Sequence, residues 1–298
     1  MNVLGIDIGG TFIKYGIFSS SLELLHEDKI RIAKSLPDFL AQILEIVGQA
    51  SRSHVVEAVG IGVPGFISRK EKRIELSPNI TFLNSVRLER EVHERVGLPV
   101  TVDNDANVAA LGEFISLAEP RPGSFVHLTL GTGIGSGIII DGRIFRGECG
   151  YAAELGHVTV HPEGRPCGCG SRGCAETESS ETGIIRSFQE FSGKSAPVTA
   201  LEIFRLRESG DEPARKSFER AGYYLGILFN DIANFLNPGI ISIGGGVAAA
   251  GEAILGPANA EFEKRIVPAT FGCTRIETAR QQNRAGIVGA AHLASSLG

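Results

Sequence analysis

One short plan occurs twice in this chain, and it limits the fold more than any other feature of the sequence. Val3-Leu4-Gly5-Ile6-Asp7-Ile8 is an apolar strand, Gly9-Gly10-Thr11 a glycine turn, and Phe12 to Phe18 a returning strand with rough alternation. About 125 residues later the plan returns. Val126–Leu130 is a strand, Gly131-Thr132-Gly133 the turn, and Gly135–Ile140 the returning strand. On this one pair, two similarly built lobes are expected.

The remaining periodicity fills in an α/β chain. A charged strand near His26–Ile32 leads to an amphipathic helix near Pro37–Gln49, with Phe39, Leu40, Ile43, Leu44 and Val47 on one face. Ala58–Val63 reads as a buried strand ending at Pro64-Gly65. A helix near Leu88–Val96 precedes a strand at Pro99–Val102, which stops at Asp103-Asn104-Asp105 before a helix from Ala106 to about Leu117. The breaker-rich Glu119-Pro120-Arg121-Pro122-Gly123-Ser124 is the expected lobe boundary, giving lobes over residues 1–118 and 119–285. Helices near Glu181–Ser192, Ala200–Ser209 and Ala214–Asn237 precede the strand Ile240–Ile243 and Gly244-Gly245-Gly246. A closing helix over about residues 286–298, clearest at Gly286–Ser296, is expected to pack back on the first lobe.

Composition narrows the class. At 298 residues there is room for two cores. A net charge of −5 gives no reason to expect nucleic acid or an anionic membrane as partner. No apolar run reaches the ~18 residues of a bilayer span. The N-terminus reads directly as a strand, without the basic and apolar segments of a signal peptide, so a cytoplasmic location is expected. There is no Trp, so a carbohydrate site here would rest on hydrogen bonds more than on ring stacking.

Three glycine turns follow apolar strands. In Asp7-x-Gly9-Gly10-Thr11 the glycines let backbone amides approach a phosphate, and Thr11 offers a hydroxyl. Asp7 is placed to hold Mg²⁺ through water, and Lys14 to supply charge near a transferring phosphoryl group. Gly131-Thr132-Gly133 repeats that chemistry, and Gly244-Gly245-Gly246 is the third case. Each alone is equally a tight hairpin turn; together they point to a nucleotide. No Walker loop and no Rossmann fingerprint is present.

Asp103-Asn104-Asp105-Ala106-Asn107 lies where a strand gives way to a helix. Phosphorylation of a hydroxyl needs a base within reach of it, and otherwise positioning and charge stabilisation. On the residues alone Asp105 reads first as a helix cap and second as that base. Asn104 can meet a sugar hydroxyl as donor or acceptor.

The most specific feature runs from Glu154-Leu155-Gly156-His157 to Cys167-Gly168-Cys169-Gly170-Ser171-Arg172-Gly173-Cys174-Ala175-Glu176. Three of the five cysteines fall within eight residues. With His157 they form a Cys₃His set suited to a closed, tetrahedral structural zinc site. A disulfide or a loop of reduced thiols would leave the glycine spacing and the histidine unexplained. Four protein ligands leave no place for a catalytic water, so the zinc would fix the loop. It would thereby hold Glu154 and Glu176 where they accept hydrogen bonds from sugar hydroxyls.

These residues together resemble the ROK family (repressor, open reading frame, kinase) of sugar kinases, its bacterial glucokinase branch especially. The likeness runs nearly end to end. It includes Asp7-Ile8-Gly9-Gly10-Thr11, Gly62-Val63-Pro64-Gly65, Asn104-Asp105-Ala106-Asn107, Leu130-Gly131-Thr132-Gly133-Ile134-Gly135, Glu154-Leu155-Gly156-His157, the cysteine cluster and Gly244-Gly245-Gly246. The resemblance implies a two-lobed actin-like ATPase (ribonuclease H-like) fold with ATP and a hexose between the lobes, and a homodimer or homotetramer. It implies that Asp105 is the base for the sugar 6-hydroxyl. Asn104, Glu154, His157 and Glu176 match the family's sugar contacts, as do Asn79 and Gly65, and His157 would serve zinc and sugar through different ring nitrogens.

Two stretches depart from the family pattern. Asn79-Ile80-Thr81-Phe82-Leu83-Asn84 stands where an Asn-Leu-Pro-x-Trp stretch is common, and Tyr151 where small residues are common. Both flank the expected sugar pocket. Glucose is the expected substrate, with N-acetylmannosamine, N-acetylglucosamine, fructose and allose as alternatives. Some members of the family are sugar-responsive repressors with a winged helix-turn-helix ahead of the kinase-like body. Here the first strand begins at residue 3, so that domain is not expected, and the acidic balance offers no DNA-binding footprint. A sugar-binding module without catalysis is the other rival, and the retained Asp105 and phosphate loops argue against it.

Overall fold

The computed structural model describes residues 2–297 other than Lys194 and Ala196. Met1, where the expected first lobe begins, and Gly298, where the expected closing helix ends, lie outside the described residues.

Strands β1 (Asn2–Ile8), β2 (Phe12–Phe18) and β3 (Leu24–Arg31) form an antiparallel meander. Helix α1 (Leu36–Ser53) then crosses to β4 (Val56–Val63), which lies parallel to β1. A small hairpin of β5 (Phe66–Ser68) and β6 (Arg73–Leu76) and helix α2 (Leu88–Val96) lead to β7 (Val100–Asn104), parallel to β4. The sheet order is β3-β2-β1-β4-β7. Helix α3 (Asp105–Ile115) carries the chain onward. A second meander of β8 (Ser124–Leu130), β9 (Ile134–Ile140) and β10 (Arg143–Ile144) follows. Helices α4 (Ala175–Ser179), α5 (Glu181–Ser192), α6 (Ala200–Glu208) and α7 (Glu212–Leu236) precede β11 (Ile240–Gly244), and α8 (Glu252–Arg265) precedes β12 (Arg275–Thr278). The second order is β10-β9-β8-β11-β12, with β11 parallel to both β8 and β12. The repeated hairpin is therefore the visible part of a repeated five-strand sheet, joined by the helical crossovers that parallel strands require.

Local sequence explains the main elements. Ser35 caps α1 by accepting from the Asp38 amide, and Phe39, Leu40, Ile43, Ile46, Val47 and Ala50 form its buried stripe. Leu44 is only half-buried; Ile46, seven residues beyond Phe39, takes the deeper place on that face. Strand β4, central and parallel, is apolar on both faces. One core lies between the first sheet and α1, with Leu4, Ile6, Phe39 and Ile43 at its centre. Another lies between the second sheet and α5, α7 and α8, with Leu128, Ile184, Phe218, Leu225, Phe229 and Ile254.

Helix α9 (Ala285–Ser295) lies across β1, β4 and α3. It approaches so closely that glycine is required on both sides of the seam. A Cβ at Gly5 would overlap the Ile287 carbonyl, one at Gly60 the Ala290 carbonyl, and one at Gly289 the Val108 carbonyl. The β5–β6 hairpin, β10, α4, α8 and β12 had no counterpart in the sequence reading.

Candidate active site between the two sheets

The carboxyl ends of β1, β4, β7, β8 and β11 converge on a cavity of about 1010 Å³. Ligands of open α/β sheets bind at such strand ends, and this volume is at the upper end of the usual range of about 300–1,000 Å³. Two substrates fit more naturally than one.

Glycine turns form one side. Asp7, Gly9, Lys14, Gly131, Gly133, Gly244, Gly245 and Gly246 line the cavity, whereas Gly10, Thr11 and Thr132 stand exposed outside its lining. The Thr11 carbonyl accepts from the Ile32 amide, and the Thr132 carbonyl from the Thr182 hydroxyl, so both crests are tied to neighbouring elements. Gly245 has φ +86°, and a Cβ there would overlap the Leu130 backbone. Asp7 is half-buried, and loss of water raises its pKa against the lowering charge of Lys14. The Lys14 Nζ lies 3.4 Å from the Asn283 carbonyl oxygen.

The acidic strand end separates into distinct tasks. Asn104, not Asp105, caps α3: its Oδ1 accepts from the Asn107 amide at 3.1 Å, and its Nδ2 donates to the Gly65 carbonyl at 3.1 Å. The first reading of Asp105 as the cap is thus corrected. Asp105 is the first helical residue, its Oδ1 accepting from the Ala106 amide at 2.9 Å, and it lines the cavity. Burial, then the negative charges of Asp7 and Glu154, push its pKa up to about 7 against the pull of backbone hydrogen bonds. Asp103 points elsewhere: its Oδ2 lies 2.6 Å from both Nε and Nη2 of Arg146.

Across the cavity stand Glu154, His157 and Glu176. The Glu176 Oε2 accepts from the Ile134 amide at 3.0 Å. Glu154 is held above the usual carboxylate range chiefly by burial, with His157 lowering it and Glu176 raising it. The His157 ring bridges two environments. Its Nε2 is 3.9 Å from the Glu154 Oε2, and its Nδ1 is 3.6 Å from the Cys167 Sγ. Cys169 Sγ and Cys174 Sγ lie 3.7 Å apart, and the ligand atoms of all four residues lie within 4.8 Å of one another. Gly170 (φ +92°) and Gly173 (φ +68°) make the turns that gather the thiols. Cys149 and Cys273 lie apart from the cluster and are exposed.

Gly65 and Asn79 also line the cavity; Gly65 has φ +130°, and a Cβ there would overlap the Leu76 carbonyl. Sequence reasoning missed His127, Thr129 and Ser136 in the lining. His127 is buried between the hydroxyls of Ser242 and Thr129, each at 3.2 Å, and burial pushes its pKa down to about 4. A histidine within an apolar strand was the one available signal.

Two like sheets with glycine turns on one wall of their cleft and paired carboxylates on the other define a sugar kinase of the actin-like ATPase fold. Residues 3–296 match the ROK family model, and the chain belongs to the ROK family. It is 36% identical to a glucokinase of Halalkalibacterium halodurans, over 96% of this chain and 92% of that protein. The crystal structure of a ROK family glucokinase from Streptomyces griseus in complex with glucose and AMPPNP superposes with a TM-score of 0.84 at 34% identity, covering 99% of this chain and 100% of that one. A ROK hexokinase from Thermus thermophilus gives a TM-score of 0.88 at 33% identity, covering 100% and 99%. No helix among the described residues is long and apolar enough to cross a membrane.

Proposed function

We propose that this sugar kinase is a glucokinase, transferring the γ-phosphoryl group of ATP to the 6-hydroxyl of glucose with Asp105 as general base. The observation that carries the reading is the state of Asp105. It is relieved of capping by Asn104, faces the cavity, and has a pKa of about 7, near the working pH where a base is most effective. The hexose lies against Glu154, His157, Glu176, Asn104, Asn79 and Gly65, and the nucleotide phosphates against Gly9, Lys14, Gly131, Gly133 and Gly244–Gly246. Asp105 takes the hydroxyl proton as the sugar oxygen bonds to the γ-phosphorus. The bond from that phosphorus to the bridging oxygen breaks, and ADP leaves. Lys14 and the turn amides offset the charge that spreads over the transferring group. Asp7 is the residue to hold Mg²⁺ through water, an ion that neutralises phosphate charge when bound.

Zinc is the ion the Cys₃His set suits. With Zn–S of ~2.3 Å and Zn–N of ~2.0–2.1 Å, a tetrahedron separates sulfurs by ~3.8 Å and sulfur from nitrogen by ~3.6 Å. The 3.7 Å and 3.6 Å separations at Cys169–Cys174 and Cys167–His157 support that fit. Its task is to hold the loop between His157 and Glu176, so that the sugar-facing groups keep their positions.

An ADP-release assay over glucose, mannose, fructose, allose, N-acetylmannosamine and N-acetylglucosamine tests the assignment. Glucose is expected to give the highest kcat/KM. Another hexose ranking first would displace glucose, and absence of turnover with all of them would overturn the kinase reading.

A further inference from the structure

We propose that Arg146 is a positioning residue for phosphoryl transfer, the anchor of a latch that sets the distance between the base and the sugar-binding wall. The inference rests on Asp105 being the base. That base stands on the first sheet's side of the cleft, at the junction of β7 and α3, whereas Glu154, His157 and Glu176 all belong to the second half of the chain. Their separation is therefore set by whatever joins the two sides beside the cavity.

Helix α3 itself rests on β9, where a Cβ at Gly137 would meet the Ala106 carbonyl, and the segment 145–153 makes a second join. At its start, Arg146 places Nε and Nη2 each 2.6 Å from the Asp103 Oδ2, two residues before Asp105. The pair is largely withdrawn from solvent, with side-chain exposures of 22% for Arg146 and 10% for Asp103, so its attraction is little screened by salt. Asp103 Oδ1 in turn accepts from the Asn104 amide at 2.8 Å and from the Asn107 side chain at 3.3 Å, which ties the carboxylate to the first turn of α3. In mid-segment, Gly150 (φ +98°) presses on the backbone of the β5–β6 hairpin, where a Cβ would strike the Ile67 carbonyl at 2.6 Å. Tyr151, the bulky residue that departs from the family pattern, meets Phe66 edge-on with ring centroids 5.8 Å apart, and Phe66 lines the cavity. At its end, the Ala153 carbonyl accepts from the Ser136 hydroxyl, which also accepts from the Leu155 amide at 3.0 Å. Glu154 follows directly. One short segment thus carries the sugar carboxylate at one end and a buried grip on the base's own strand at the other.

The arrangement predicts a split between binding and turnover. Sugar contacts on the second half persist when the latch is loosened, while the hydroxyl and the base lose register, and small misplacements of reacting groups are costly. Arg146→Met is expected to lower kcat by about 10- to 100-fold while changing the equilibrium Kd for glucose by less than about threefold. Arg146→Lys keeps the charge but gives up the paired donors, so it should recover part of that loss. Tyr151→Ala, at a residue 38% exposed that can be truncated without opening a core, should cost kcat about three- to tenfold. The measurements are kcat by ADP release and Kd by calorimetry for each variant, with Asp105→Asn alongside. If Arg146→Met proves poorly folded, the Arg146→Lys and Tyr151→Ala results decide. A kcat within twofold of the parent in the folded latch variants, or a Kd that worsens in proportion to kcat, overturns the latch. If Asp105→Asn turns over normally, the base assignment beneath it fails instead, and the two failures are separately visible.

Discussion

The Glu176 carboxylate rests on the bare Cα of Gly133. A Cβ at Gly133 would overlap Oε2, the same oxygen that accepts from the Ile134 amide. A glycine of the turn between β8 and β9, which we assign to the phosphates, therefore also makes room for a carboxylate that we assign to the sugar. Gly133→Ala should push a flexible side-chain end aside rather than disturb a backbone. The expected result is a sugar KM raised about tenfold, the scale of one charge-assisted hydrogen bond, with a melting temperature close to the parent. Steady-state kinetics and a thermal melt check both; an unchanged KM would refute the link.

Asp105→Asn should abolish turnover and leave glucose binding in place. It should also stabilise the protein, and the sign follows from linkage. The folded-state pKa of Asp105 is raised from 3.8 to about 7, so between those values the native state holds more protons than the unfolded state. Stability from this group therefore falls as pH rises through that window. At pH 8 the variant should melt a few degrees above the parent, and at pH 4 the two should coincide. Calorimetric scans at both values test it, and a variant less stable at pH 8 would contradict the burial of that charge.

As the proposed base, the same group should set the acid limb of activity. A base must be unprotonated to act, so kcat/KM should fall below a pH of about 7. Asp7 is the charge that raises that pKa most, after burial itself. Residual activity of Asp7→Asn should therefore show its limb displaced to lower pH, whatever the loss in rate. A limb that stays put would remove Asp7 from the electrostatics of the base.

Removal of the proposed zinc should act on the sugar and spare the nucleotide. Cys169 is the exposed cysteine of the cluster, with Cys167 and Cys174 buried, so a chelator has one open approach. Cys169→Ser is expected to remove one zinc per chain and to raise the glucose KM more than the ATP KM. Metal analysis beside kinetics with each substrate varied is the check; a zinc-free protein with parental glucose KM would defeat the assignment.

The α9 seam gives a prediction of stability alone. Gly60→Ala sets a methyl against the Ala290 carbonyl, where backbone must shift. A loss of about 3 kcal/mol is expected, toward the upper end of overpacking penalties, measurable as a lowered denaturant midpoint.

The parts legible in the sequence were those with local signals. The two hairpins, α1 and the long α7 carry periodicity within a dozen or so residues. Helix α8 does not: its buried Ile254, Leu255 and Phe262 are interspersed with the buried Ala253, Ala258 and Glu261, and it contains Pro257. Strand β12, Arg-Ile-Glu-Thr, has a single apolar residue and is a strand because β11 offers it a free edge. In the site, the Cys₃His cluster was readable because its chemistry is compressed into a few turns. Asn104 and Asp105 were not separable, because either side chain can cap a helix and only the backbone at the strand end decides which does. The Asp103–Arg146 pair was beyond reach, since 43 residues separate partners that the fold brings together.

The glycine seam under α9 has a temporal meaning too. A ribosome delivers the first sheet early, yet Gly5 and Gly60 leave its face shaped for a helix that starts at residue 285. The half of the molecule that carries Asp7 and Asp105 is thus the first to be synthesised and the last to be sealed. A nascent chain arrested before α9 would expose an open face of β1 and β4 to the solvent.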